Sequence, residues 1–130
     1  MSMLEQVHSL VRWLVVLSTL VTALRYLYGW LAGQTFGDLD RTLWRVFQGV
    51  FGLQILIGLV LLLGGFNGLR AEHAVTMLLA FGLTHVSGRF REAADKVRFR
   101  NGFLLLVLTF VLIYAGVARL LGWGWLTAGL

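Results

Sequence analysis

Four side chains are of types and spacings that can do chemistry together. His8 and Arg12 in "HSLVRW" are four residues apart, one helical turn, and Glu72 and His73 adjoin in "RAEHAV". A neutral imidazole is a common axial ligand of haem iron, so two of them on opposite faces of one macrocycle would hold a b-type haem without a covalent link. Arg12 would then pair with a propionate, and Glu72 would orient an imidazole by accepting its free N–H. His8, His73 and Glu72 also have the donor types of a zinc or copper site, but without the spacing of a metal motif. No GxSxG, P-loop or HExxH occurs, which leaves nucleophilic and phosphate-cradling chemistry without a motif.

The elements that must position these groups follow from composition. With 58% hydrophobic and 13% charged residues, the 130-residue chain reads as a membrane protein of one domain, 1–130. A hydrocarbon core roughly 30 Å thick needs about 20 helical residues, and four stretches approach that length: 10–31, 42–63, 73–86 and 102–121. The third is short, so it must thin the bilayer, recruit its flanks or shelter behind its neighbours. Sixteen glycines and no proline suit closely packed, unkinked helices, and the lack of strand-like alternation argues against a barrel. The expected fold is all-α, an integral membrane four-helix up-down bundle. Absence of cysteine excludes disulfides, thiolate metal sites, iron-sulfur clusters and covalent c-type haem. The first apolar run is preceded by Glu5 rather than Lys or Arg and lacks a small-residue cleavage pattern, so it reads as a retained span.

Charge sets the expected orientation. Arg25, Arg41, Arg45, Arg89, Arg91, Lys96, Arg98 and Arg100 lie toward the first and third loops, against only Arg12, Arg70 and Arg119 on the other side. The positive-inside rule therefore puts both termini outside the cytoplasm. The net charge of +5 reads as a topology signal and an attraction to anionic membrane lipids, not as a nucleic-acid surface. Tyr26, Tyr28 and Trp30 are expected at the cytoplasmic interface, with Trp13, Trp123 and Trp125 at the opposite one.

In the first span, Glu5, His8, Arg12, Val15, Thr19, Thr22 and Tyr26 recur every three or four residues and form one stripe. Lipid would reject such a face, so it is expected to look into the bundle or toward another subunit, as a hydrogen-bonded seam or a functional lining. A second stripe holds His73, Met77, Ala80 and Thr84. Spans one and three run the same way, so His8 and His73 reach similar depth near their outer ends. Diagonal helices of a square bundle lie roughly 11 to 14 Å apart, a gap that a flat macrocycle could enter edgewise. Gly49, Gly52, Gly58 and Gly116 either leave room for that ring or simply allow close packing. His85 lies twelve residues beyond His73, about 18 Å of rise and a different face, and is expected at the cytoplasmic end near Gln48. Gln54, in mid-span, is expected to bond to span one or to a quinone-like ligand.

The order "HSLVRW", "FGLQILIGLVLLL" and "RAEHAVTMLLAFGLTHVSGR" resembles short bacterial four-span membrane proteins labelled cytochrome b-like. The resemblance covers most of the chain and implies a bacterial inner (cytoplasmic) membrane. More distantly, the chain is similar to the four-helix protoporphyrinogen oxidase family and to copper-resistance membrane domains, which also carry an early histidine. The oxidase family pairs that histidine with a lysine in a later span; here the sole lysine, Lys96, falls in a loop, and that activity is not carried over. Two functions compete: a haem-b electron carrier of a respiratory or photosynthetic membrane, with His8 and His73 as ligands, and a non-catalytic accessory subunit of a larger membrane complex or homo-oligomer.

Overall fold

The computed structural model describes residues 2–128, whose regular structure is all helix, with no strand among the described residues. Helices α1 (Met3–Leu31), α2 (Asp38–Gly64), α3 (Gly68–Thr84) and α4 (Asp95–Leu121) are followed by a single turn, α5 (Trp125–Ala128). Three of them, α1, α2 and α4, are long and apolar enough to cross a membrane. At 17 residues α3 is about 25 Å long, below a full crossing.

Local chemistry sets the ends. Ser2 Oγ accepts from Glu5 N at 3.2 Å to start α1, Asp40 Oδ2 accepts from Gly37 N at 2.9 Å at the start of α2, and Asn67 Oδ1 accepts from Arg70 N at 2.9 Å to start α3. Gly122, at φ +97, ends α4 in a conformation that side chains rarely tolerate. The sequence places the third span to residue 86, but α3 stops at Thr84. Thr84 Oγ1 donates to Phe81 O at 2.6 Å and His85 Nδ1 bonds the same carbonyl at 3.0 Å, after which His85–Phe90 continues as a tighter 3-10 turn.

Consecutive helices pack side by side through short connections, and α4 closes on α1. Helices α1 and α3 face each other across the centre, as do α2 and α4. Around this core, α1 turns hydroxyls inward and leucines outward. Helix α1 buries Val15, Thr19, Thr22 and Tyr26 and exposes Leu10, Leu14, Leu17 and Leu24. Thr22, 1% exposed, against Leu17, 56% exposed, is a distribution that suits an apolar surround, because the interior is where hydroxyls find partners. Thr22 Oγ1 donates to Ser18 O at 2.7 Å and reaches Leu43 O of α2 at 3.4 Å.

Helices α1 and α4 meet through two glycine-aromatic contacts. A Cβ on Gly29 would sit 2.5 Å from the Phe99 ring, and one on Gly102 would sit 2.5 Å from the Tyr26 ring. Tyr26 is not an interfacial anchor: it is 2% exposed, stacks on Trp44 at 5.7 Å and donates its hydroxyl to Asp40 O at 2.8 Å. Trp125 also turns inward, 4% exposed, with Nε1 donating to Tyr114 O at 3.1 Å, whereas Tyr28 and Trp123 stay exposed as expected of interfacial rings. Beside Tyr26, the buried Asp40 carboxylate accepts from Arg25 Nε at 2.7 Å.

Candidate functional site

His8 and His73 are each the sixth residue of their helix, counting from Met3 in α1 and Gly68 in α3. Because those two helices face each other and run the same way, the imidazoles approach one space from opposite walls. Both line a cavity of about 240 Å³, together with Arg12, Gln54, Arg70 and Met77. Apolar walls come from all four helices, including Val15, Phe51, Ile55, Ile113 and Val117.

Neighbouring groups fix each ring. His73 Nδ1 lies 3.0 Å from the backbone oxygen of Gly116 in α4. A carbonyl only accepts, so Nδ1 carries the proton and Nε2 keeps its lone pair for a ligand. His8 packs on Gly58 of α2, where a Cβ would come within 3.2 Å of the imidazole Cε1. Gln54 Nε2 donates to His8 O at 2.7 Å, tying α2 to the turn of α1 that bears the histidine. The Nδ1 of His8 is buried without a hydrogen-bond partner, as is the Nε of Arg12. The Arg12 guanidinium carbon lies 5.3 Å from the Trp13 ring centre and 5.7 Å from that of Trp125, a cation held against aromatic faces.

Glu72 does not join this group. Its carboxylate accepts from Arg119 at 3.1 Å on an exposed face, so the partner that orients His73 is the Gly116 carbonyl and not a carboxylate. Among the described residues no three His, Cys, Asp or Glu side chains converge on a metal-sized site, so the zinc or copper set of His8, His73 and Glu72 is not assembled. His85 also departs from expectation: it bonds its own helix at Phe81, and the partner of Gln48 is Thr84, whose O and Oγ1 accept at 3.1 and 3.2 Å. Three of the four glycines serve packing. Gly52 faces Phe81, Gly58 faces His8, Gly116 faces Met77 and Thr76, and Gly49 has open space.

Arg70 is a charged side chain of this cavity that sequence reasoning did not place there. It lines the cavity and donates to Gly65 O at 2.7 Å. Its signal was present, since it precedes His73 by three residues and so shares its face.

The donor set suits haem: two imidazoles from facing helices, one of fixed tautomer and one with an orphaned nitrogen, and two guanidiniums for anionic side groups. The room is tight. A volume of about 240 Å³ falls below the roughly 300 Å³ at which ordinary small-molecule sites begin. Comparison with protein-family models, with curated proteins and with solved structures finds no match.

Proposed function

We propose that this chain is a four-span membrane protein that holds one b-type haem between His8 and His73 and passes electrons within a bacterial cytoplasmic membrane. The observation that carries the reading is that these two imidazoles, from helices that face each other, line one apolar-walled cavity. When bound, haem supplies reversible one-electron chemistry. The protein's part is positional. Gly116 orients His73, Gln54 and Gly58 seat the turn that carries His8, and Arg12 and Arg70 offset propionate charge. Both termini face away from the cytoplasm, a reading supported by eight basic residues on one side against three on the other.

The test is a spectrum. Protein expressed with adequate haem and purified in mild detergent is expected to show a Soret band that shifts on reduction and is lost in both His8→Ala and His73→Ala. Colourless wild-type protein that co-purifies in fixed stoichiometry with a large complex would replace this reading with the accessory-subunit one. The features that favoured that alternative are largely spent inside the chain: Thr19, Thr22 and Tyr26 are buried, and Gly52, Gly58 and Gly116 seat side chains of neighbouring helices.

A further inference from the structure

A second cavity, of about 300 Å³, lies at the other end of the molecule, and nothing in the reading above uses it. Tyr26, on its floor, stands about 27 Å along α1 from His8. Four arginines border it: Arg41 and Arg45 from the N-terminal part of α2, Arg91 just after the 3-10 turn, and Arg98 from the start of α4. No Asp or Glu lines it. Of the four, only Arg41 has a carboxylate partner among the described residues, the fully exposed Asp38 at 2.9 Å.

These guanidiniums stay charged at any ordinary pH, so their mutual repulsion cannot be relieved by losing a proton. Two of them are held in place by uncharged groups. The Arg98 guanidinium sits 3.9 Å from the centre of the Phe36 ring, and Arg91 Nε donates to Gly88 O at 3.2 Å. The floor brings no counter-charge: the Tyr26 hydroxyl is committed to Asp40 O, and Trp44 Nε1 donates to Thr84 O at 3.3 Å. What the cavity lacks is an anion.

We propose that this cavity binds a phosphate-bearing group. A phosphate offers three or more acceptor oxygens to forks arriving from three directions, where a carboxylate offers two. The aromatic floor suits the less polar atoms to which such a phosphate is attached. The same chemistry is supplied by an anionic phospholipid headgroup or by a soluble phosphorylated molecule.

The test uses the full chain, purified in mild detergent and delipidated. It is titrated separately with phosphatidylglycerol and with inorganic pyrophosphate at constant ionic strength, reading the shift in thermal unfolding. The site variant is Arg45→Gln with Arg91→Gln. The control, Arg89→Gln with Arg100→Gln, removes the same charge from exposed positions that do not line the cavity. Saturable stabilisation of wild type and control by one ligand, with at least about a tenfold weaker response in the site variant, supports the proposal. Response to the lipid alone identifies a headgroup, and response to pyrophosphate identifies a soluble source. No saturable response to either, or equal weakening in both variants, overturns it. Should the site variant lose helix content, Arg45→Lys with Arg91→Lys keeps the charge and removes the forks; it must still bind more weakly than wild type for the proposal to stand.

Discussion

The imidazole of His73 in α3 donates from Nδ1 to the backbone oxygen of Gly116 in α4, 3.0 Å away. The bond fixes both the tautomer and the plane of the ring, and it depends on how closely the two helices approach. Gly116 permits that approach, because a Cβ there would lie 3.2 Å from Thr76 Cγ2 and would displace the flexible end of Met77. Met77 can swing aside, so Gly116→Ala is expected to press on Thr76, shift α4 by a few tenths of an ångström and stretch the bond. Loss of a partner of this kind typically weakens a ligand site by about 10- to 100-fold. Haem titration followed at the Soret band checks the loss, and adding Thr76→Ser, which removes the Cγ2 that the new Cβ meets, should recover most of it.

Gly58 makes a parallel case on the opposite wall. A Cβ there meets His8 Cε1 at 3.2 Å, tight enough to shift the ring by a few tenths of an ångström without unfolding α2. Gly58→Ala should alter the haem spectrum while leaving helix content and detergent stability near wild type. Gly49→Ala, on the same helix with nothing within 4 Å, should leave the spectrum unchanged and stabilise by up to about 1 kcal/mol through helix propensity. Equal spectra for the two variants would detach His8 from the ligand.

Glu72→Gln separates the two candidate partners of His73. The Glu72–Arg119 pair is 51% and 57% exposed, so its removal should cost less than about 1 kcal/mol in unfolding measurements. The Soret band should be unaffected. A marked spectral change in this variant would return the orienting role to the carboxylate and contradict the Gly116 assignment.

How far the residues could be read in advance depended on whether their partners were local. The stripe on α1 was legible because helical periodicity alone brings Val15, Thr19, Thr22 and Tyr26 to one side, and all four are buried. The four helical segments followed from length and apolar content, although α3 ended two residues early because a threonine and a histidine competed for one carbonyl. The shared lining by His8 and His73 followed from equal depth on helices of like direction. What escaped depended on contacts between helices. Adjacency in sequence suggested Glu72 as the partner of His73, but adjacent helical residues point about 100 degrees apart, and Glu72 turned outward to Arg119. A backbone acceptor such as Gly116 has no side-chain signature, and the burial of Trp125 depends on the chain folding back after Gly122. The Arg25–Asp40 pair escaped for a similar reason: fifteen residues and a loop separate its members, and no motif joins them.

That pair supports the sharpest stability prediction. Asp40 is 1% exposed at its side chain and accepts from Arg25 Nε at 2.7 Å and from Gly37 N at 2.9 Å, so it closes the α1–α2 connection and caps α2 at once. Breaking a buried ion pair from one side costs about 3–5 kcal/mol, most of it from stranding the remaining charge. The two sides are not equivalent. Arg25 is 22% exposed and also donates to Gln34 Oε1 at 3.3 Å, so after Asp40→Asn it retains a partner and a path to water, and the cost should fall near 3 kcal/mol, the low end of that range. Arg25→Leu leaves a buried carboxylate with the Gly37 amide alone and no path to water, and should cost more. The double variant Arg25→Leu with Asp40→Asn strands neither charge, so its loss should be well below the sum of the single losses. Reversible unfolding in mixed micelles measures all three variants, and strictly additive losses would show that the two side chains stabilise the fold independently.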